Sequence, residues 1–365
     1  LSTVVSVGLS NPPYVLAQEE VMDFARDFYR NDFSDVERLL KVFHNGDIER
    51  RYFSAPIKWF SQPRTLKEKN DRYCEMAVSL GIKSINDCLN QVDYLSTPVE
   101  ATAIDAIYFI STTGMATPSI EARIMNQLPF DVHTKRIPIW GLGCGGGTAG
   151  LARADDYCRA YPEANVLVLS IELCSLTFQY GDRSKSNLIG TSLFADGAAC
   201  VLVSGEQSSL KSKIQLPIVP KVRGSQSTLM PNSEEVMGWD VRDEGLHVVF
   251  SKSIPHIVET WLQPEVKQFL QQYYLDISEL HHFIAHPGGR KVLDAYEAIF
   301  NLERQFTDNA RNILRNYGNM SSPTVLYVLD RAMRQAGNPG EQGLVVSLGP
   351  GFTSELLLLE WVDAS

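Results

Sequence analysis

The chain has 365 residues, 44% of them hydrophobic and 21% charged, a balance that suits a large folded core and excludes a disordered, collagenous or coiled-coil chain. Lys and Arg total 33 against 43 Asp and Glu, a net charge of -10, so no general basic surface awaits nucleic acid or an anionic membrane. The six cysteines form no CxxC pair and no apolar run reaches the roughly 18–20 residues of a membrane span, so the expectation is a cytoplasmic protein without a zinc site or a transmembrane segment.

At roughly 100–200 residues per domain, the length allows two or three domains or one duplicated one. Residues 16–100 are rich in helix formers, with Val36, Leu39, Leu40 and Phe43 on one face beside Glu37, Arg38 and Lys41, and read as mostly helical. From residue 105 short apolar runs alternate with helical patterns. Strands are expected over 105–110, 136–142, 165–172 and 197–204, with a helix opened by Pro118 through Leu128 and another over 145–161. The polar stretch 205–245 reads as a long connection or site rim, which sets a boundary near residue 210. Beyond it the spacing predicts helices over 251–274, 289–301 and 323–335 and strands over 280–285, 343–348 and 354–361. The alternation gives an α/β fold of two similar halves, 1–210 and 211–365, although no repeat period supports a duplication.

Chemistry concentrates first at Trp140–Gly150, where glycines flank Cys144 between a predicted strand and helix. Glycine permits a sharp turn there, and a helix N-terminus offers N–H groups and partial positive charge that favour a thiolate or hold an oxyanion. A small cysteine in a tight helix–sheet contact fits the same pattern. In Ala285-His286-Pro287-Gly288-Gly289 a strand delivers a histidine into a fixed turn, and in Gly318-Asn319-Met320-Ser321-Ser322 an asparagine precedes a helix as an N-cap or as a neutral donor. Together Cys144, His286 and Asn319 suit acyl transfer with enolate stabilisation.

These three motifs, with Leu193-Phe194-Ala195-Asp196-Gly197 and the late Gly349-Pro350-Gly351-Phe352 loop, closely resemble the type III polyketide synthases of the chalcone synthase superfamily over nearly the whole chain. The resemblance implies a thiolase-like αβαβα fold, a homodimer, acyl-CoA and malonyl-CoA as substrates, and no metal or organic cofactor. It implies that Cys144 carries the acyl chain, that His286 keeps it ionised with a depressed thiol pKa, and that His286 and Asn319 bind the malonyl thioester oxygen during decarboxylation. Phe194 resembles the family's gatekeeper, and Thr112, Thr117, Cys174, Thr177 and Ser321 match cavity-lining positions. Val248 stands where the plant enzymes carry a second gatekeeper Phe, which implies a wider passage. Arg38 and Lys41 match CoA-phosphate positions, the third charge is absent at Asn45, and Lys291 is either its replacement or a solvated surface lysine. The small lining and the bacterial character of the sequence imply a medium- to long-chain fatty acyl starter released as an alkylpyrone or alkylresorcinol, with an aromatic or malonyl starter, a single-condensation ketoacyl synthase III-like reaction and a non-catalytic acyl-binding role as alternatives.

Three other features carry less. The glycines after Cys144 lack the Gly-Lys-Ser/Thr ending of a phosphate loop. His281 and His282 are adjacent on a predicted strand and face opposite sides, which disfavours metal ligation with His286. Arg50-Arg51 reads as a solvated helix end.

Overall fold

The computed structural model describes residues 1–251, 254–335 and 337–364. The first half contributes β1 (Thr3–Ser10), β2 (Tyr14–Ala17), α1 (Gln18–Tyr29), α2 (Val36–His44), β3 (Arg50–Phe53), α3 (Leu66–Asn90), β4 (Ala106–Ile110), α4 (Ile120–Met125), β5 (Lys135–Ile139), α5 (Gly146–Ala160), β6 (Asn165–Leu173), α6 (Lys185–Leu193) and β7 (Asp196–Ser204). The second contributes β8 (Ile218–Leu229), β9 (Met237–Arg242), β10 (Gly245–Phe250), α7 (Ile254–Ile257), α8 (Gln263–Gln271), β11 (Leu280–Ala285), α9 (Arg290–Phe300), α10 (Asp308–Tyr317), α11 (Pro323–Arg334), β12 (Gln342–Gly349) and β13 (Thr353–Asp363).

The order β11-β12-β13-β8-β1-β7-β6-β4-β5 is continuous, but β8 and β1 meet only at Thr3 and Lys221, so two half-sheets are joined edge to edge. Strands β6 and β7 are buried along their whole length, as runs of Val, Leu, Ile and Ala covered on both faces must be. The covering layers follow from side-chain size. Helices α5 and α11, buried on almost every side, pack between the half-sheets, and Gly146, Gly147 and Gly150 let α5 approach Ile110, Ser322 and Val168 where a Cβ would collide. On the outer faces α3 covers β1 and β7, while Tyr296 and Phe300 of α9 pack against Phe283 of β11. The result is the layered αβαβα arrangement.

Several boundaries differ from the sequence reading. The polar connection 205–245 holds β8, a central strand whose Pro220, Gly224 and polar C-terminal half hid its alternation, and also β9. The region 16–100 read as helical also holds β3 and the end of its antiparallel partner β2, β1 and α10 were not foreseen, and the helix after Pro118 is only Ile120–Met125. Of the helix expected over 251–274, residues 252 and 253 lie outside the described residues, and the rest forms α7, a π-helical turn Val258–Leu262 and α8.

Apolar side chains form two separate cores. The main one surrounds the half-sheets. A smaller, aromatic-rich one lies between α1, α2, β3 and α6, built from Val21, Ala25, Tyr29, Leu40, Phe43, Phe53, Phe60 and Leu188.

Candidate active site

Cys144 sits, almost fully buried, on the single turn Gly143–Gly145 that leads into α5. Gly143 has φ +47° and a Cβ there would fall 2.7 Å from Pro350, so the turn depends on glycine and is pressed by the Gly349-Pro350-Gly351 loop. The Gly143 N–H donates to Thr112 Oγ1 at 3.1 Å, which ties the turn to the end of β4.

His286 leaves the end of β11, its N–H donating to the Val346 carbonyl at 2.8 Å. Both ring nitrogens are buried, and among the described residues neither has a hydrogen-bond partner. Asn319 follows Gly318, whose φ of +72° and contact with Arg51 exclude a side chain. Asn319 is no N-cap of α11: its Oδ1 accepts from the Ser321 N–H at 2.8 Å, and this fixes Nδ2 as the donor that reaches Gly288 O, at 3.3 Å, beside His286. The Cys144 thiol is hydrogen-bonded by the Ser321 and Asn319 side chains, so Asn319 links the cysteine turn to the histidine turn.

Burial dominates the electrostatics. It pushes the Cys144 thiol up to about 11 despite those two hydrogen bonds, and it pushes His286 down to about 3. Burial thus acts against each charge taken singly, opposite in direction to the depressed thiol pKa that the resemblance implies: desolvating each ion costs more than a helix N-terminus returns. Behind Cys144, Glu172 is buried and raised to about 7, while accepting from the Thr112 N–H at 2.9 Å, the Thr113 hydroxyl at 2.7 Å and the Ser322 hydroxyl at 3.1 Å.

Cys174, Thr177, Phe194 and Val248 meet around one narrow cavity of about 30 Å³, which continues past Ser175 and Gly190 to Phe24, Phe53, Ile57, Phe60 and Phe178 in the smaller core. Val248 does not leave the gate without a partner for Phe194. Its cross-strand neighbour Trp239 lies 5.7 Å from the Phe194 ring and Phe250 stacks on that Phe194 ring at 5.4 Å, so two aromatics of the same β9–β10 hairpin pack on the gatekeeper next to Val248. Sequence reasoning missed Trp239 and Phe250. The two-residue turn Asp243-Glu244 between alternating runs was the available signal.

The other residues singled out in the sequence are spread over the molecule. Thr117 is exposed, beside Asn70, Cys74 and Met115 on the surface, and not in the cavity. Arg38 and Lys41 are exposed on α2 along a groove with Arg26 and His44, and Lys291 is exposed, but the cation that α9 brings to the end of α2 is Arg290, 4.0 Å from Asp47. Arg51 is no solvated helix end. It is fully buried in β3, donates to the Thr191 and Phe194 carbonyls at 2.7 Å, and is pushed down to about 9 by burial. His282 pairs with Glu341 at 2.8 Å and stacks on Trp361, while His281 is exposed.

Comparison with known proteins places the whole arrangement. Residues 1–207 match the N-terminal domain model of the chalcone and stilbene synthases, and residues 221–363 match the C-terminal one. A putative chalcone synthase of Bacillus subtilis is 47% identical over 99% of both chains, and the 1,3,6,8-tetrahydroxynaphthalene synthase of Streptomyces peucetius is 32% identical over 99% of this chain and 93% of its own. The structure of the Streptomyces coelicolor tetrahydroxynaphthalene synthase superposes with a TM-score of 0.89 at 30% identity, covering 99% of each chain. A pocket edged by Phe194 beside a buried Cys-His-Asn set, on this fold and at this identity, is that of an acyltransferase: the chain belongs to the chalcone and stilbene synthase family, the type III polyketide synthases.

Proposed function

We propose that the enzyme extends a medium- to long-chain fatty acyl-CoA with malonyl-CoA and releases alkylpyrones or alkylresorcinols. The observation that carries this reading is the lining of the cavity: beyond Cys174 and Thr177 its walls are Phe24, Phe53, Ile57, Phe60 and Phe178, apolar side chains that suit an alkyl chain once their rings part to admit it. Cys144 attacks the acyl-CoA carbonyl as neutral His286 takes the thiol proton, and that proton passes to the departing CoA sulfur. Malonyl-CoA then binds with its thioester oxygen against the His286 ring N–H and Asn319 Nδ2. Loss of carbon dioxide leaves an enolate held by these donors, and it attacks the Cys144 thioester, expelling the thiolate and forming a β-ketoacyl-CoA that reloads for the next round.

Arg38, Lys41 and Lys291 bind CoA phosphates in this reading, with Thr112 and Ser321 beside Cys144. Thr117 takes no part within one chain. The chain acts as a homodimer of two-half subunits, 1–210 and 211–365, in the cytoplasm, with CoA thioesters as its only small-molecule requirement. Among the described residues no helix is long and apolar enough to cross a membrane.

A panel of starters from acetyl- to stearoyl-CoA with malonyl-CoA, products identified by mass, tests the reading. Turnover should rise with chain length and then fall. A second reading is an aromatic or malonyl-derived starter, and the aromatic product of the 32%-identical tetrahydroxynaphthalene synthase speaks for it. Equal turnover at all lengths, or best turnover with malonyl-CoA alone, would favour it.

A further inference from the structure

The β9–β10 hairpin belongs to neither half-sheet. A two-stranded ribbon of this kind is marginal in water, so what holds it decides where its side chains stand. One attachment is apolar and faces the substrate: Trp239 and Phe250 on Phe194, and Val248 at the cavity wall. The other is polar and comes from the far side. Lys69 of α3 is buried, and its Nζ donates to Gln179 Oε1 at 2.5 Å and to the Glu244 carbonyl at 3.1 Å. Gln179, buried in turn, donates from Nε2 to the Leu246 carbonyl at 2.8 Å. Gly245 between those two carbonyls has φ +139°, and a Cβ there would sit 2.7 Å from Gln179 Nε2, so the backbone closes directly onto the lock. Burying a lysine against an amide and a carbonyl has no evident stability rationale, since an apolar residue would fill the space at less cost.

We propose that Lys69 is a positioning residue for starter selection, anchoring the β9–β10 hairpin through Gln179 and the Glu244 carbonyl so that Trp239, Val248 and Phe250 stand against Phe194. This rests on the reading of the cavity as the site of the alkyl chain. Lys69 touches no substrate and acts through the hairpin. The same lock reaches the opposite wall, because Gln179 follows Thr177 and Phe178 directly, so one side chain sets the separation of two walls of the slot.

Lys69 is also titratable. Burial pushes it down to about 8, with Glu244 and Glu68 opposing. The other charged groups around the lock are His247 and Asp182, 3.5 Å apart, with Asp240 and Arg242 on β9. Above pH 8 the lysine loses the charge that strengthens its two hydrogen bonds, and the hairpin loosens.

The test compares wild type, Lys69→Met, Lys69→Arg and Gln179→Met on the acyl-CoA panel, with kcat and KM separated and with the lauroyl-to-acetyl selectivity ratio followed from pH 6.5 to 9.5. The expected result is a loss of about tenfold in kcat/KM for long starters in Lys69→Met and Gln179→Met, carried by KM, with acetyl loading of Cys144 unchanged and partial recovery in Lys69→Arg. The wild-type ratio should fall through about pH 8, and that of Lys69→Met should be flat. An equal loss for all starters, or the same pH profile in both proteins, overturns the role of Lys69. A wild type indifferent to chain length overturns the cavity reading itself. If Lys69→Met does not fold, Gln179→Met and the wild-type pH profile decide.

Discussion

Around Cys144 the reacting residues sit on backbone turns pinned by short-range hydrogen bonds and a proline ring, whereas the walls of the cavity beyond Cys174 are packed apolar side chains. The cysteine turn is clamped by Pro350 on one side and by Thr112 on another, and Asn319 is held by main-chain bonds to Leu193 and Ala195. The far cavity depends on Phe24, Phe60 and Phe178, whose rings meet edge to face at 5.7 and 6.2 Å within the smaller core. Backbone positions change little when a side chain is replaced, and ring packing changes at once. One region therefore fixes the reaction and the other tunes what enters it.

That contrast breaks most sharply at the nucleophile. Cys144→Ala should abolish acyl loading, read by intact mass after incubation with an acyl-CoA, and an acylated variant would remove the cysteine from its role. In the wild type, a thiol raised to about 11 leaves only about one part in a thousand as thiolate at pH 8. Alkylation by iodoacetamide should therefore be slow at neutral pH and climb steeply above pH 9. A plateau below pH 8 would mean that His286 ionises the thiol after all and that mutual compensation outweighs burial. Asn319→Ala comes next. It should load a starter normally yet decarboxylate malonyl-CoA about 10²–10³-fold more slowly, the usual cost of one lost oxyanion donor. Normal decarboxylation would assign the oxygen to other donors.

The difference between the regions also explains what could be read from the sequence. Cys144, His286 and Asn319 are legible because glycine and proline at fixed offsets mark turns, and the structure places all three at such turns. Helix α11 was legible because its apolar run over 325–329 is unbroken, and strand β11 because Phe283-Ile284-Ala285 leads straight into the His286-Pro287-Gly288-Gly289 turn. Strand β8 was not, since its outer half is polar and a proline interrupts it. Nor was the state of the thiol: a helix N-terminus suggests ionisation, and only the depth of burial reverses the sign. Arg51 looked like surface because an Arg-Arg pair usually is, and nothing local says that the carbonyls at the end of α6 will take its guanidinium. The gate shows the same limit. Val248 was legible as a departure, but its compensation by Trp239 depends on cross-strand pairing.

An effect smaller than those at Cys144 and Asn319 probes that compensation. Val248 lines the slot beside Gly190, and a Cβ added at Gly190 would already lie 3.5 Å from it, so there is little slack on this wall. Val248→Phe places a second ring next to Trp239 and must narrow the slot. Each methylene buried there is worth about 0.8 kcal/mol, so excluding two should cost about 1.6 kcal/mol, roughly 15-fold in kcat/KM for the longest starters, with acetyl-CoA unaffected. Trp239→Leu should act in the opposite sense, because it removes the ring that stands in for the missing one. If the length profile of the double variant Val248→Phe with Trp239→Leu departs from the combined effects of the two single variants, the two positions share one function across the hairpin. If the effects simply add, Trp239 supports Phe194 from outside and the gate is Phe194 with Phe250 alone.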